Sequence, residues 1–180
     1  MSASQSAKTP QAELLGYLTY VDLHQLGTVG GILIVDLRAR PIEFHCSSPV
    51  LPSRTQEILY GQTLRHSLIC DQIGKSLLAQ IKQLPQLFIT DEPLALDLQQ
   101  YLTVPISALL DEACEEDEEK QERQSVLIDH QSGMHMKLSG GPTQVDVART
   151  AWEARVGDWD GQEPLERIRE AISEAHRAAA

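Results

Sequence analysis

The chain has 180 residues, 42% of them hydrophobic, enough to bury a core in one domain with an appendage or in two small domains. Fifteen basic residues face twenty-six acidic ones, and the formal charge of −11 opposes non-specific attachment to nucleic acid or to an anionic membrane. Residues 111–122 (DEACEEDEEKQE) hold eight acids and one lysine, so −7 of that charge sits there, while residues 1–110, with nine acids and seven bases, are close to neutral.

Cys46, Cys70 and Cys114 form no CxxC, which indicates neither a disulfide framework nor a zinc knuckle. The opening MSASQSAKTPQ is small and polar, and nowhere do eighteen apolar residues run together. A soluble, cytoplasmic protein with no membrane partner is expected. Residues 1–13 read as a disordered leader, 14–110 as an α/β core domain, 111–124 as an acidic linker and 125–180 as a β-hairpin with a helical appendage.

After the leader, LLGYLTYVDL (14–23) is rich in aromatic and β-branched residues and predicts the first strand. GTVGG (27–31) supplies a glycine-rich turn, and ILIVDL (32–37) is apolar on both faces, as a central strand must be. With Arg38, Ala39 and Arg40 as a loop, PIEFHC (41–46) returns as a third strand, pairing Ile34 with Phe44 and Val35 with Glu43. Successive strand side chains point to opposite faces, so His45 and the adjacent Cys46 cannot meet as base and nucleophile. Cys46 shares a face with Ile42 and Phe44 and is expected to be a small buried core residue.

Ser53-Arg-Thr-Gln56 has the form of a capping box, so a helix begins at Arg54. Leu64, Leu68, Ile69, Ile73, Leu77, Leu78 and Ile81 continue at helical spacing, with Gly61 and Gly74 as points of breakage or bending. QLFIT (86–90) reads as a buried strand. Asp91 is placed to N-cap a short helix with Pro93 in its first turn, and TVPI (103–106) predicts a fifth strand that Pro105 marks as an edge.

The acidic run reads as a solvated linker; lacking glycine, it does not form a calcium loop. SVLIDH-QSG-MHMKLS (125–139) is a hairpin whose Asp129, His130 and His135 could compose a two-histidine, one-carboxylate set, although histidines beside a turn are more often surface residues. Two helices come next. Val145, Ala148 and Trp152 form one stripe, and Leu165, Ile168, Ile172 and Ala175 another, with Gly157-Asp-Trp-Asp-Gly161 as the turn between them. IGKS (73–76) lacks the upstream glycine of a phosphate-binding loop and lies in a helical pattern, which excludes nucleotide binding of that type.

One pattern recurs: apolar strands ending in aspartate, in TYVDL, LIVDL and LFITDE. Three antiparallel strands, a capped helix, a strand, a helix and a last strand, over residues 14–110, resemble the ribonuclease H-like fold. The fold class expected is therefore α/β, a mixed sheet of about five strands with an initial three-strand meander, plus the C-terminal hairpin and two helices. In that family the first strand carries an aspartate, the first helix a glutamate and the end of the fourth strand an aspartate. The matching positions here are Asp22, Glu57 and Asp91. The resemblance implies two Mg²⁺ or Mn²⁺ ions on a phosphodiester, with Asp22 and Asp91 as metal ligands.

The acid balance and the absence of a written motif favour a different function: a non-catalytic protein-interaction or assembly module without cofactor. Its partner would be another protein or a second copy of the chain, and nucleic acid is not expected. The alternative is a Mg²⁺- or Mn²⁺-dependent phosphodiesterase of ribonuclease H-like type using Asp22, Glu57 and Asp91.

Overall fold

A computed structural model describes residues 11–110, 124–129, 134–139 and 142–177. The described strands are β1 (Gln11–Asp22), β2 (Thr28–Asp36), β3 (Pro41–Cys46), β4 (Pro85–Thr90), β5 (Ile106–Leu110), β6 (Gln124–Asp129) and β7 (Met134–Ser139). They form one seven-stranded sheet in the order β3-β2-β1-β4-β5-β7-β6. β1, β2 and β3 are an antiparallel meander, and β4 and β5 run parallel to β1. This is the mixed sheet with ribonuclease H-like order that the sequence predicts. The hairpin of β6 and β7 joins the same sheet, because β7 pairs antiparallel with β5. Pro105 therefore does not mark an edge: it precedes β5, where its carbonyl accepts from the Phe88 N–H.

Alternation sends the apolar residues of β1 to two cores. Leu14 and Leu18 pack with Ile32, Ile34 and Phe88 under a helical layer comprising α1 (Arg54–Tyr60), α2 (Leu64–His66), a π-helical stretch Ser67–Gly74, α3 (Lys75–Gln80) and a 3₁₀ segment Pro93–Tyr101. Leu15 and Tyr17 pack with Leu33, Val35, Leu87 and Ile89 under α4 (Pro142–Glu153) and α5 (Glu163–Arg177). The stripe residues Ala148, Trp152, Leu165, Ile168 and Ile172 are buried against the sheet. Burying a Leu or Ile side chain contributes about 1.5–3 kcal/mol, so this stripe fixes α5 in place.

Glycine makes the docking close on both sides. A Cβ on Gly30 would lie 2.4 Å from Ile73 Cγ2, and one on Gly31 would lie 2.4 Å from Ile168 Cγ2. Both glycines belong to β2, so GTVGG is not the turn the sequence suggested; the chain reverses at residues 23–27, ending in Gly27 at φ 97°. The capping box is present: Ser53 Oγ accepts from the Gln56 N–H, Gln56 Oε1 accepts from the Ser53 N–H, and the helix ends at Gly61. Glu92, not Asp91, caps the 3₁₀ segment by accepting from the Leu94 N–H.

The β2–β3 pairing is shifted by one residue from the expected register. Leu33 faces Phe44 and Ile34 faces Glu43, with an irregularity at Val35. The cause is the turn, in which Asp36 Oδ1 accepts from the N–H groups of Arg38 and Arg40 and Ala39 adopts φ 60°, which makes room for an extra residue. Cys46 is exposed at the end of the edge strand, which corrects the expectation that it is buried. Glu43 lies on the other face, where it accepts from the Lys82 and Gln83 N–H groups at 2.7 and 3.2 Å and lies 2.5 Å from His45 Nε2. No helix among the described residues is long and apolar enough to cross a membrane.

Candidate active site at the carboxyl ends of strands β1 and β4

In open sheets with parallel strands, ligands bind beyond the carboxyl ends of the strands. Here β1 and β4 are parallel neighbours, and their ladder closes at Leu18 and Thr90. Beyond that point both strands become charged: Asp22 ends β1, and Asp91 and Glu92 come directly after β4.

The pleat decides which of these acids meet. Asp22 has the parity of Leu18, toward the α1–α3 layer, and there it meets Arg65 of α2: Arg65 Nη1 is 3.6 Å from Asp22 Oδ2, and Arg65 Nη2 is 2.6 Å from Glu92 Oε2. The other Asp22 oxygen accepts from Thr28 Oγ1 at 2.6 Å. One guanidinium thus bridges two carboxylates. The hydrogen bond to Glu92 raises the Arg65 pKa; partial burial works against this, and the charges of Glu92 and Asp22 support it.

Asp91 belongs to the opposite face. It accepts a 3.0 Å hydrogen bond from Thr19, which has the parity of Tyr17, and an ion pair from Arg169 Nη2 of α5. The β1 residue beside the acid at the end of β4 is therefore a threonine. Asp22 and Asp91, predicted together, are held on opposite faces by different cations. Glu57, on α1, pairs at 2.8 Å with Arg54 of its own helix. The structure does not bring the three predicted acids together, and it adds Glu92, Thr19, Arg65 and Arg169, which sequence reasoning missed. The strand-to-strand alignment that selects Thr19 links residues 72 apart. Of Asp129, His130 and His135, the last candidate set, no side chain lies within the described residues, and neither does the acidic run 111–122.

Tyr20 Oη donates to the Ile69 carbonyl at 3.1 Å, and Cys70 Sγ donates to the Leu94 carbonyl at 3.2 Å. Burial, reinforced by Asp97, Asp71 and Glu92, pushes the Cys70 thiol up to about 11, so it is not a nucleophile. Burial likewise raises the Tyr20 phenol.

No protein-family model matches the chain, and no curated protein matches it. Solved structures do. The catalytic domain of human endonuclease V superposes with a TM-score of 0.54 at 11% identity, over 93% of this chain and 83% of that one. Endonuclease V of Ciona intestinalis, in complex with a 23mer DNA containing an inosine followed by a ribo-adenosine, superposes with a TM-score of 0.51 at 9% identity, over 91% and 86%.

The fold resembles that of endonuclease V.

This corrects two expectations. The chain's structural relatives are nucleases, which overturns the non-catalytic interaction module, and one is solved on DNA, which overturns the preference for protein partners or self-association over nucleic acid. Of the net charge of −11, −7 lies in residues 111–122, which follow β5 directly, and residues 1–110 are close to neutral.

The metal implied by the endonuclease V-like and ribonuclease H-like fold can be tested against the side chains. Mg²⁺ uses hard oxygen ligands from carboxylates. Among the described residues, no group of three or more His, Cys, Asp or Glu side chains could hold a metal ion. Asp22, Glu92 and Asp91 each have a guanidinium beside them already, and a divalent ion at contact distance from one is repelled by several kcal/mol. A two-metal centre does not fit these residues as they are placed.

Proposed function

We propose that this chain is a phosphodiesterase acting on nucleic acid, with its working site at the carboxyl ends of β1 and β4. One observation carries the reading: the fold is like that of endonuclease V, solved on DNA in one case, and in this chain charged groups of both signs collect where such a sheet binds ligands. Hydrolysis needs a group that takes a proton from water and a group that meets the charge growing on the phosphoryl oxygens. Asp91 is the proposed base and Arg169, against it, the proposed phosphate partner. Asp22 and Glu92, joined through Arg65, flank the same strand ends on the other face. Glu57, paired with Arg54 on α1, is given no role in this proposal.

DNA containing deoxyinosine is the first substrate to try, following the DNA of the Ciona complex. The test incubates end-labelled inosine-containing and unmodified 23mers with the full chain in Mg²⁺, Mn²⁺ or EDTA. Expected is a discrete product from the inosine strand, weakened by Asp91→Asn. Both DNAs remaining intact under every condition would overturn the reading.

A further inference from the structure

The fold brings an expectation of divalent metal, and the strand ends of this chain are arranged against one. Among the described residues, the acids there lie on two faces of the sheet, Asp22 and Glu92 on one and Asp91 on the other. Each has its positive charge supplied from within the chain. Arg65 stands between the first pair, and Arg169 reaches down from α5 to Asp91. In β1, the place beside Asp91 that could have held a second carboxylate is Thr19, which is 1% exposed and spends its hydroxyl proton on Asp91. Arg65 and Arg169 are open to solvent: their side chains are 57% and 44% exposed, against 14% and 23% for Glu92 and Asp91, while Asp22 is 64% exposed. A guanidinium has five N–H donors in a fork that matches two oxygens of a phosphate.

We infer that this chain carries the positive charge of its strand-end site as two built-in guanidinium groups, Arg65 and Arg169, in place of a divalent metal, and that a nucleic-acid phosphate meets these groups directly. The phosphate half rests on the proposed nucleic-acid function. The metal half does not, since it follows from the placement of acids and arginines alone.

Two measurements on the full chain separate them. The first follows Mn²⁺ by its free-ion paramagnetic resonance signal during titration, together with the thermal midpoint. Expected is an isotherm, and a Mn²⁺-induced shift of the midpoint, that Asp22→Asn, Glu92→Gln and Asp91→Asn leave unchanged, any Mn²⁺ held by the acidic run being unaffected by them. A Mn²⁺ site lost in any of these variants overturns the metal half. The second follows anisotropy of a fluorescein-labelled inosine 23mer over a salt series. Expected is binding equal in EDTA and in Mg²⁺, weakened several-fold by Arg65→Gln and by Arg169→Gln, with the salt slope reduced by about 1 in each. Arg65→Lys and Arg169→Lys, which keep the charge and the fold, should recover part of the loss. Binding that EDTA abolishes, or that both glutamine variants leave intact, overturns the phosphate half. A chain that binds no DNA under any condition removes the proposed function and the phosphate half together, and the Mn²⁺ titration still decides the metal half.

Discussion

Thr19 Oγ1 donates a 3.0 Å hydrogen bond to Asp91 Oδ2, joining β1 to the residue after β4 across 72 positions of sequence. The contact orients Asp91 toward the α5 face, where Arg169 completes its shell. It also shows that Asp22, three residues beyond Thr19, lies too far along β1 and on the wrong face to share a site with Asp91. Thr19→Val keeps the shape and removes the donor. A hydrogen bond to a charged group contributes about 1.5–3 kcal/mol, so urea unfolding should show a loss in that range. An unchanged midpoint would mean that Arg169 alone positions Asp91.

The close approach of β2 to its two layers gives a second prediction. Gly31→Ala places a Cβ 2.4 Å from Ile168 Cγ2 and must push α5 outward. Overpacking of this kind costs about 1–3 kcal/mol. Limited proteolysis should then cut within residues 142–177 sooner than in the wild type. Equal cleavage rates would show that α5 is held by contacts other than those at β2.

Trp152 is 2% exposed, and the Arg155 guanidinium lies 3.5 Å above its ring. Trp152→Ala opens a cavity in the core under α4 and α5 and should cost about 3–5 kcal/mol. Calorimetry would test this. A shift of the thermal midpoint no larger than that of a surface variant such as Glu166→Ala would contradict the packing described.

Glu43 ties the edge strand to the loop after α3. Burial pushes its carboxyl up, but the hydrogen bonds from His45 and from the N–H groups of Lys82 and Gln83 together outweigh it and hold the pKa below the ordinary value. With the folded value below the unfolded one, this group's stabilisation is present above the ordinary glutamate range of about 4.3 and is lost as pH falls through the lowered folded value. Urea midpoints measured from neutral pH down to about pH 3 should therefore fall more steeply for the wild type than for Glu43→Gln. Parallel curves would remove Glu43 from the acid response.

The two described thiols should differ in reactivity. Cys46 is exposed on β3, while Cys70 is buried and its pKa is pushed up to about 11. At pH 8, peptide mapping after N-ethylmaleimide treatment should find Cys46 modified and Cys70 intact until denaturant is added. Early modification of Cys70 would show that the layer over Tyr20 opens in the native state.

Much of this architecture was legible because it is local. The alternation of LLGYLTYV, the Ser53–Gln56 capping box and the apolar stripe of α5 each depend on residues a few positions apart, and each forms as expected except that Ala175, at the end of the stripe, is exposed. The illegible part depends on register. A non-glycine residue with positive φ, Ala39, slips β3 by one position, and the parallel alignment of β1 with β4 puts Thr19 rather than Asp22 beside Asp91. Arg65 and Arg169 give no motif, since nothing in a helix says which carboxylate its arginine will find. Fold class comes from periodicity; the site comes from alignments set only when the sheet closes.

The proposed site is tested most directly by single-turnover cleavage of an end-labelled inosine 23mer, with wild type and Asp91→Asn prepared in parallel. A discrete product from the wild type and a rate at least about 100-fold lower for the variant is the predicted result, as expected for loss of a general base. Equal rates from the two proteins would place the chemistry elsewhere, and DNA left whole by the wild type would contradict a phosphodiesterase altogether.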